Sequence, residues 1–453
     1  MESVGELKNV EFMNIEEGSA RAAKVDPNGL DKQGVSTSAH SVGHDSWQQA
    51  GFMLVTGFSC GYILSYSSLV MVPLGWKWGI LVLIAIGLYS AYSSWLLAAF
   101  HFIEGKRFIR YRDLMGFVFG KYFYYITYVS QFTSFFLANM GFILLGGRAL
   151  KEMHLSFSDS PWTLQYYIIF AGLAFLSFAF LVPTMSAMRT WLMLSAFMTS
   201  VYVILLMVMV VDDGRSNKSR SYDVGGSQVG KVFNAFASIS ALIAANSGGL
   251  LPEVQSTLRQ PAVKNMRKAL LMQFTVGILF YYGVTVVGYW AYGSSVSWYL
   301  PQQISGPKWV KILINALVFL QSIVSQMMFV APIHEALDTK FLDVKEKLHS
   351  SKNVRGLLLL RAIFYTVTTF ITAAFPFMGD FVTLIGSFSL VTLTFVFPSV
   401  IFLKVKGNTA RIEKKIWHWF NVIAFSLLTV ATTISAVRLI VNDVTQYSFF
   451  ADT

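Results

Sequence analysis

The sequence predicts an all-α membrane protein with eleven transmembrane helices. Three observations on its 453 residues support this fold class: 55% are hydrophobic, only 13% are charged, and the charges leave eleven long uncharged stretches. Soluble domains carry about 25% charged residues, so the composition argues against a soluble enzyme. The single cysteine, Cys60, excludes an internal disulfide framework and a four-cysteine zinc site.

The eleven stretches contain no Lys, Arg, Asp or Glu. A helix is expected in each, because about 20 apolar residues cross the hydrocarbon and backbone groups there must be bonded within the segment. The end of the seventh stretch, Gly293–Pro307, is rich in Gly, Ser, Gln and Pro and is interpreted as a loop. In chain order the stretches are Gln48–Trp76, Trp78–Ile103, Tyr122–Gly147, Ser160–Met188, Thr190–Val211, Val232–Pro252, Ala269–Pro307, Ile312–His334, Ala362–Gly379, Phe381–Leu403 and Ile416–Val437.

The basic residues support this count. Arg189 alone separates the fourth span from the fifth, and Phe375–Asp380 separates the ninth from the tenth, so both are predicted hairpins. With the N-terminus in the cytoplasm, connections on that side carry 21 Lys and Arg residues, against 10 on the outer side and the C-terminal end. This excess fits the positive-inside rule and favours eleven crossings over ten or twelve. The net charge of +11 therefore indicates a membrane surface rather than a nucleic acid as partner.

Three parts of the chain are expected. Residues 1–45 form an acidic cytoplasmic tail with 8 acids and 4 bases, which is predicted to be mobile. It has no apolar signal-peptide region, so the first span is expected to act as the targeting signal. Residues 46–440 form the eleven-helix domain, and residues 441–453 form a short extracellular tail.

Spans one and six are interrupted at matching positions, as expected for a domain built from two inverted five-helix repeats. Such paired Gly and Pro interruptions indicate a substrate site at the membrane midplane, where unwound backbone N–H groups can bind a carboxylate. The alternative is that these small residues only allow close helix packing. The predicted site residues are Thr56, Gly57, Phe58, Ser59, Cys60 and Gly61 in span one, and Asn246, Ser247, Gly248 and Gly249 in span six, where Pro252 follows.

Few polar groups remain as candidates for coupling or gating. Glu253 directly follows the broken span six and is predicted to be a proton-linked gate, unless it is an ordinary helix-end acid paired with Arg259 or Lys264. Ser322 and Ser325 share one face of span eight and could form a cation or proton-sensitive site against span one. The histidines have no metal-ligand spacing, and no metal, cofactor or catalytic residue is predicted.

The sequence resembles the plant proline transporters, a subfamily of the amino acid/auxin permease (AAAP) family. The matching segments extend in order from about residue 44 to the C-terminus. They are His44–Gly51 (HDSWQQAG), Met71–Trp76 (MVPLGW), Arg110–Leu114 (RYRDL), Leu251–Gln255 (LPEVQ), Gln273–Gly277 (QFTVG), Gly288–Ser294 (GYWAYGS) and Lys415–Trp419 (KIWHW).

This resemblance implies a leucine transporter-like fold with a five-plus-five inverted repeat. It also implies proton-coupled uptake of proline, glycine betaine or γ-aminobutyrate at the plasma membrane. The partners are then a small zwitterionic solute, the proton and the lipid bilayer, with sodium as an alternative coupling ion. Two aromatic positions of the family pattern are occupied here by Ala244 and Asn246.

That departure motivates an alternative from another class, a transport-inactive amino acid sensor or adaptor of the same fold. A membrane-embedded enzyme would need a catalytic constellation, and a channel would need a repeated filter-like element. The sequence contains neither feature, so transport is the leading hypothesis.

Overall fold

The computed structural model describes residues 43–55, 63–246, 248–376, 383–444 and 449–450 of the chain. These residues form a helical bundle with one two-stranded antiparallel hairpin, β1 (Phe102–Ile103) and β2 (Lys106–Arg107). The fifteen α-helices among them are α1 Trp47–Leu54, α2 Val72–Ala98, α3 Tyr111–Phe119, α4 Lys121–Leu155, α5 Leu164–Leu181, α6 Arg189–Ser216, α7 Gln228–Ala245, α8 Leu251–Thr257, α9 Ala262–Met272, α10 Ile278–Tyr292, α11 Leu300–Gln303, α12 Lys308–Phe341, α13 Val354–Ala374, α14 Phe397–Lys406 and α15 Ile412–Val444.

Ten helical segments in the described part of the chain are long and apolar enough to cross a membrane. They coincide with predicted spans two to eleven. Residues 56–62, which interrupt the predicted first span, lie outside the described residues. The eleventh crossing therefore stays a prediction.

The boundary between the first two spans is a turn at Gly75. Its backbone has φ 66° and ψ −176°, a conformation that glycine adopts readily because it has no Cβ. The turn lies two residues before Lys77, the charge from which the boundary was predicted. The helical residues on its N-terminal side include a π-helical turn, Ser67–Met71.

The interior of the bundle is formed by α4, α12 and the segment that ends in α14. Helix α4 packs mainly against α12 and α5. The Thr383–Lys406 span is the most buried of the ten and contains two π-helical segments, Ile385–Leu390 and Thr392–Val396. The least buried is Ile412–Asn442 in α15, which therefore lies at the periphery.

A buried ion pair joins α12 to α13. The two guanidinium nitrogens of Arg361 donate to the two carboxylate oxygens of Asp338 at 2.9 and 2.7 Å, and both residues are fully buried. Both helices extend beyond the uncharged stretches from which spans eight and nine were predicted, so α12 continues past His334 and α13 begins before Ala362. The charges of Asp338 and Arg361 are neutralised by their pairing, which allows them to lie buried within these helices.

Candidate functional site

The helix that covers predicted span six is interrupted. Helix α7 ends at Ala245, Asn246 has φ −109° and ψ 17°, and α8 begins only at Leu251. The Asn246 side chain donates to the Leu242 carbonyl at 3.0 Å. Pro252 lies in the first turn of α8, where its missing N–H disturbs no helical bond. The predicted site residue Ser247 lies outside the described residues.

Two side chains from distant parts of the chain hold the backbone of the break. The Gly248 N–H donates to Thr394 Oγ1 at 3.0 Å, and Gln131 Nε2 donates to the Gly249 carbonyl at 2.7 Å. These backbone groups are therefore already hydrogen-bonded in this conformation. A solute carboxylate that used the Gly248 N–H would have to displace Thr394.

Glu253 lies one helical turn beyond the break and is buried. Its Oε1 accepts hydrogen bonds from the Tyr111 N–H at 3.0 Å and from Gln131 Nε2 at 3.1 Å. Within the described residues it makes no salt bridge with Arg259 or Lys264, and its Oε2 has no hydrogen-bond partner. Burial raises the pKa of this carboxyl, because the charged form is poorly solvated.

Gln131 thus connects the break to the acidic group through one amide nitrogen. It lies on α4, and Tyr111, the other donor to Glu253, begins the short helix α3. The residues on either side of Tyr111 reach Glu335 near the end of α12: Arg110 hydrogen-bonds to it, and Arg112 lies 3.5 Å from its second oxygen. A series of polar contacts therefore connects the break, through Gln131 and Glu253, to the start of α3 and the C-terminal end of α12.

Two aromatic rings lie beside the break. The Tyr281 hydroxyl donates to Asn246 Oδ1, and the ring of Tyr281 lies 6.1 Å from that of Tyr66. Both tyrosines are fully buried. They provide aromatic surface near the positions that Ala244 and Asn246 occupy.

Asn139 is a buried amide without a hydrogen-bond partner among the described residues. It lies near the middle of α4 and is fully buried, and neither Oδ1 nor Nδ2 is bonded to any part of the chain that the structure describes. An unpaired amide in a dry interior is unfavourable by about 1–3 kcal/mol. Such a group is expected to bind a ligand or a water molecule, which makes Asn139 a candidate for the site.

The serine pair of span eight is buried in α12. Ser322 Oγ donates to the Phe319 carbonyl at 2.7 Å and faces α4, since a Cβ on Gly146 would lie 3.3 Å from it. Ser325 Oγ accepts from Gln321 Nε2 at 2.6 Å. The predicted face against span one stays untested, because all six span-one site residues lie outside the described residues: Thr56, Gly57, Phe58, Ser59, Cys60 and Gly61.

A separate set of contacts ties the segment before α1 to the end of α8. The Gly43 and Asp45 N–H groups donate to the carbonyls of Ser256 and Thr257 at 3.0 and 2.7 Å. The Asp45 side chain is fully buried and accepts from Arg189 at 3.2 Å and from Ser186 at 3.3 Å. Asp45 is the last residue of the tail that was predicted to be mobile. Its hydrogen bonds connect the segment before α1 to α8 and to the α5–α6 hairpin.

Several of these residues could not be predicted from the sequence, because they come close to the break only when the helices pack together. Thr394, Tyr111 and Tyr281 are each distant in sequence from the break. Tyr111 belongs to the matching segment Arg110–Leu114, but nothing in the sequence relates that segment to span six. Gln131 and Asn139 carry a weak signal, since they are polar residues within a long apolar span.

The sequence matches the family model described as "Transmembrane amino acid transporter protein" over residues 43–439. The chain belongs to this family. It is therefore a multi-pass membrane transporter of amino acids and not an enzyme. The family assignment agrees with the ten candidate spans and with the interrupted helix at Asn246.

Named relatives of this amino acid transporter match along almost the whole chain. GABA transporter 1 of Arabidopsis thaliana is 28% identical over 430 residues, which cover 90% of this chain and 93% of the relative. Lysine histidine transporter-like 6 of the same plant is 26% identical over 418 residues, which cover 89% and 93%. Among solved structures, that of MhsT in complex with L-phenylalanine has a TM-score of 0.49 and 11% identity, over 87% of this chain and 100% of that chain.

Proposed function

We propose that this transporter couples the uptake of proline and the related compatible solutes glycine betaine and γ-aminobutyrate to a proton gradient across the plasma membrane. One observation carries the coupling: a buried carboxylate, Glu253, shares Gln131 with the broken backbone of span six and has no salt bridge in the described part of the chain. The resemblance to plant proline transporters supports the solute class.

The proposed solute site lies between the two interrupted spans. Backbone N–H groups of Thr56–Gly61 bind the carboxylate, with Thr56 and Ser59 as further ligands, and Asn246–Gly249 complete the pocket. Tyr66 and Tyr281 present ring faces to the cationic end of the solute, since a quaternary or secondary ammonium binds such faces. Asn139 supplies an amide to the same solute.

The proposed motion follows from the two breaks. The chain is built from two inverted five-helix repeats, with the N-terminus in the cytoplasm and the C-terminus outside. Spans one, two, six and seven rock against the remainder, and Asn246–Gly249 absorb the change in backbone angles.

The protonation state of Glu253 couples the proton gradient to this motion. In the charged form it accepts hydrogen bonds from Tyr111 and Gln131, which also holds the Gly249 carbonyl. Protonation removes the charge that attracts these donors and loosens the hold on the break. Ser322 and Ser325 are the second coupling candidates, and they would matter most if sodium replaced the proton.

Uptake of radiolabelled proline, betaine and γ-aminobutyrate in yeast or oocytes tests this function, with pH and sodium varied. We expect saturable uptake that rises with acidity. Uptake that depends on sodium and not on pH would contradict proton coupling.

A substitution tests the site itself. Gly248→Leu should reduce uptake to background with normal surface expression, because the larger side chain would enter the space beside Ser94 and Thr394. Gly225→Leu is the matched control, since a Cβ there meets nothing within 4 Å. Proline should also protect Cys60, the single cysteine, from maleimide labelling. Normal uptake by Gly248→Leu would refute the site.

The alternative, a transport-inactive sensor or adaptor, is favoured by one observation, the loss of two family aromatic residues at Ala244 and Asn246. Saturable binding of proline to the purified protein without uptake by cells would support it. Tyr66 and Tyr281 weaken the case, because they restore aromatic surface beside the same backbone.

A further inference from the structure

A cavity of about 330 Å³ lies away from the broken helix, between α2, α14 and α15. Tyr92 and Leu96 line it from α2, Phe402 from α14, and Glu413, Lys414, Trp417 and His418 from α15. None of these residues takes part in the proposed solute site. An occupant of this cavity would therefore be distinct from the transported solute.

The walls of this cavity are aromatic and held in place. The His418 ring stacks on Phe402 at 3.9 Å between centroids, and its Nδ1 lies 3.2 Å from Ser399 Oγ. Trp417 Nε1 donates to the Tyr92 hydroxyl at 3.2 Å. Because these polar groups are bonded to one another, the walls present mainly ring faces and carbon. Such a surface suits an apolar chain.

The cavity is lined by one base and one acid, Lys414 and Glu413, and the chain segment that contains them is strongly basic. Residues 404–415 contain five basic residues and one acid, Glu413. Lys414 lines the cavity, is exposed, and forms no salt bridge within the described residues. An anion at the mouth of the cavity would therefore meet an unpaired ammonium group.

The cavity faces the lipid and not the protein interior. Helix α15 contains the least buried of the ten candidate spans. Several large apolar side chains near the cavity are more than half exposed: Ile412, Ile416, Trp419 and Phe420. An occupant that enters from this side comes from the bilayer.

We propose that this cavity binds an anionic phospholipid. Its phosphate lies against Lys414, and an acyl chain lies along Tyr92, Phe402 and Trp417. Basic pockets between membrane helices attract anionic head groups, and a basic residue that contacts the head group strengthens binding about fivefold. This inference needs only the membrane insertion of the chain, so it stands or falls independently of the proposed solute and coupling ion.

Native mass spectrometry of the full chain in mild detergent tests this proposal. Phosphatidylglycerol and phosphatidylcholine with identical acyl chains are titrated separately. We expect half-occupancy at an at least about fivefold lower concentration of phosphatidylglycerol. Lys414→Gln should remove that preference and leave phosphatidylcholine binding unchanged. Lys415→Gln is the matched control, because this neighbour does not line the cavity and its loss should shift half-occupancy less than about twofold.

Three results would overturn the proposal. Equal binding of the two lipids by the wild-type chain would exclude head-group recognition. Equal effects of Lys414→Gln and Lys415→Gln would indicate a diffuse basic surface. Displacement of phosphatidylglycerol by an equal concentration of glycerol 3-phosphate would show a site for a soluble phosphate. Leu96→Trp, which fills the cavity, should weaken both lipids if the acyl chain lies there.

Discussion

Glu253 combines burial with neutral hydrogen-bond donors. Its pKa is raised by burial, so the carboxyl takes up its proton at a higher pH than a free glutamate, whose pKa is about 4.3. In the proposed function, uptake therefore increases as the pH falls through this raised value and decreases as the pH rises through it. The requirement for a proton thus sets the direction of the pH dependence, and the raised pKa moves it to a higher pH range.

Glu253→Gln should make uptake independent of pH and prevent accumulation against a gradient. Glutamine keeps an oxygen for Tyr111 and Gln131 but cannot release a proton. The measurement is proline uptake at acid and alkaline pH. The control is Glu346→Gln, an exposed acid paired with Lys352, which should keep the wild-type profile.

Stability gives a second readout for the same variant. Because the folded-state pKa is raised, the fold loses stability as the pH rises from the unfolded-state pKa to the folded-state pKa, and the loss is complete above the latter. Glu253→Gln should therefore melt at a higher temperature than the wild type at alkaline pH, and at the same temperature at acid pH. An unchanged pH profile of uptake together with unchanged melting would remove Glu253 from the mechanism.

Asn139→Leu should weaken the apparent affinity for the solute by about tenfold or more, because a hydrogen bond to a charged group contributes about 1.5–3 kcal/mol. It should leave thermal stability unchanged or improve it, since the amide has no hydrogen-bond partner among the described residues. Asn315→Leu is the matched control. That buried asparagine bonds to Tyr299 and to the Lys311 carbonyl, so its loss should lower stability. Normal affinity in Asn139→Leu would place the residue outside the site.

At the scale of elements, the contacts of Asp45 hold together the segment before α1, the end of α8 and the α5–α6 hairpin. The carboxylate is fully buried and Arg189 is about half exposed, with 54% of its side chain accessible. Exposed pairs contribute about 0–1 kcal/mol, whereas removing one partner of a buried charge is unfavourable by about 3–5 kcal/mol. The loss of stability on removing Arg189 should therefore lie between these two limits.

Arg189→Gln should lower the melting temperature of the purified transporter more than Lys352→Gln does. The first leaves the buried Asp45 carboxylate with Ser186 as its remaining side-chain partner, and the second breaks a solvent-exposed pair with Glu346. Melting in detergent, followed by tryptophan fluorescence, measures the difference. Equal shifts in melting temperature for the two variants would show that the Asp45–Arg189 contact adds little to the stability of the fold.

The positions of the spans could be predicted from the sequence, but most of the side-chain pairs could not. An uncharged run is a local property, and so is the Gly and Pro content that indicated the break at Asn246. The Gln131–Gly249 and Thr394–Gly248 hydrogen bonds depend on how helices distant in sequence pack together. Arg361 illustrates the limit, because its buried partner Asp338 lies on another helix and cannot be identified from the local sequence.

At the scale of the whole molecule, the number of crossings decides which side each end of the chain faces. An odd number places the two ends on opposite sides of the membrane. In intact cells, an epitope at the C-terminus should be accessible to antibody, and one at the N-terminus should become accessible only after permeabilisation. An epitope inserted at residues 407–410, in the basic connection before α15, should behave like the N-terminal one. Two ends on the same side would contradict eleven crossings.

The Asp338–Arg361 pair has a consequence for movement as well as for stability. Pulling α12 away from α13 would leave two bare charges in a dry interior, which is far less favourable than bending the chain elsewhere. The two helices must therefore travel as a single rigid unit throughout the transport cycle. Any hinge has to lie outside them, and a spin-label pair with one label on each helix should report the same distance in every state that the transporter visits.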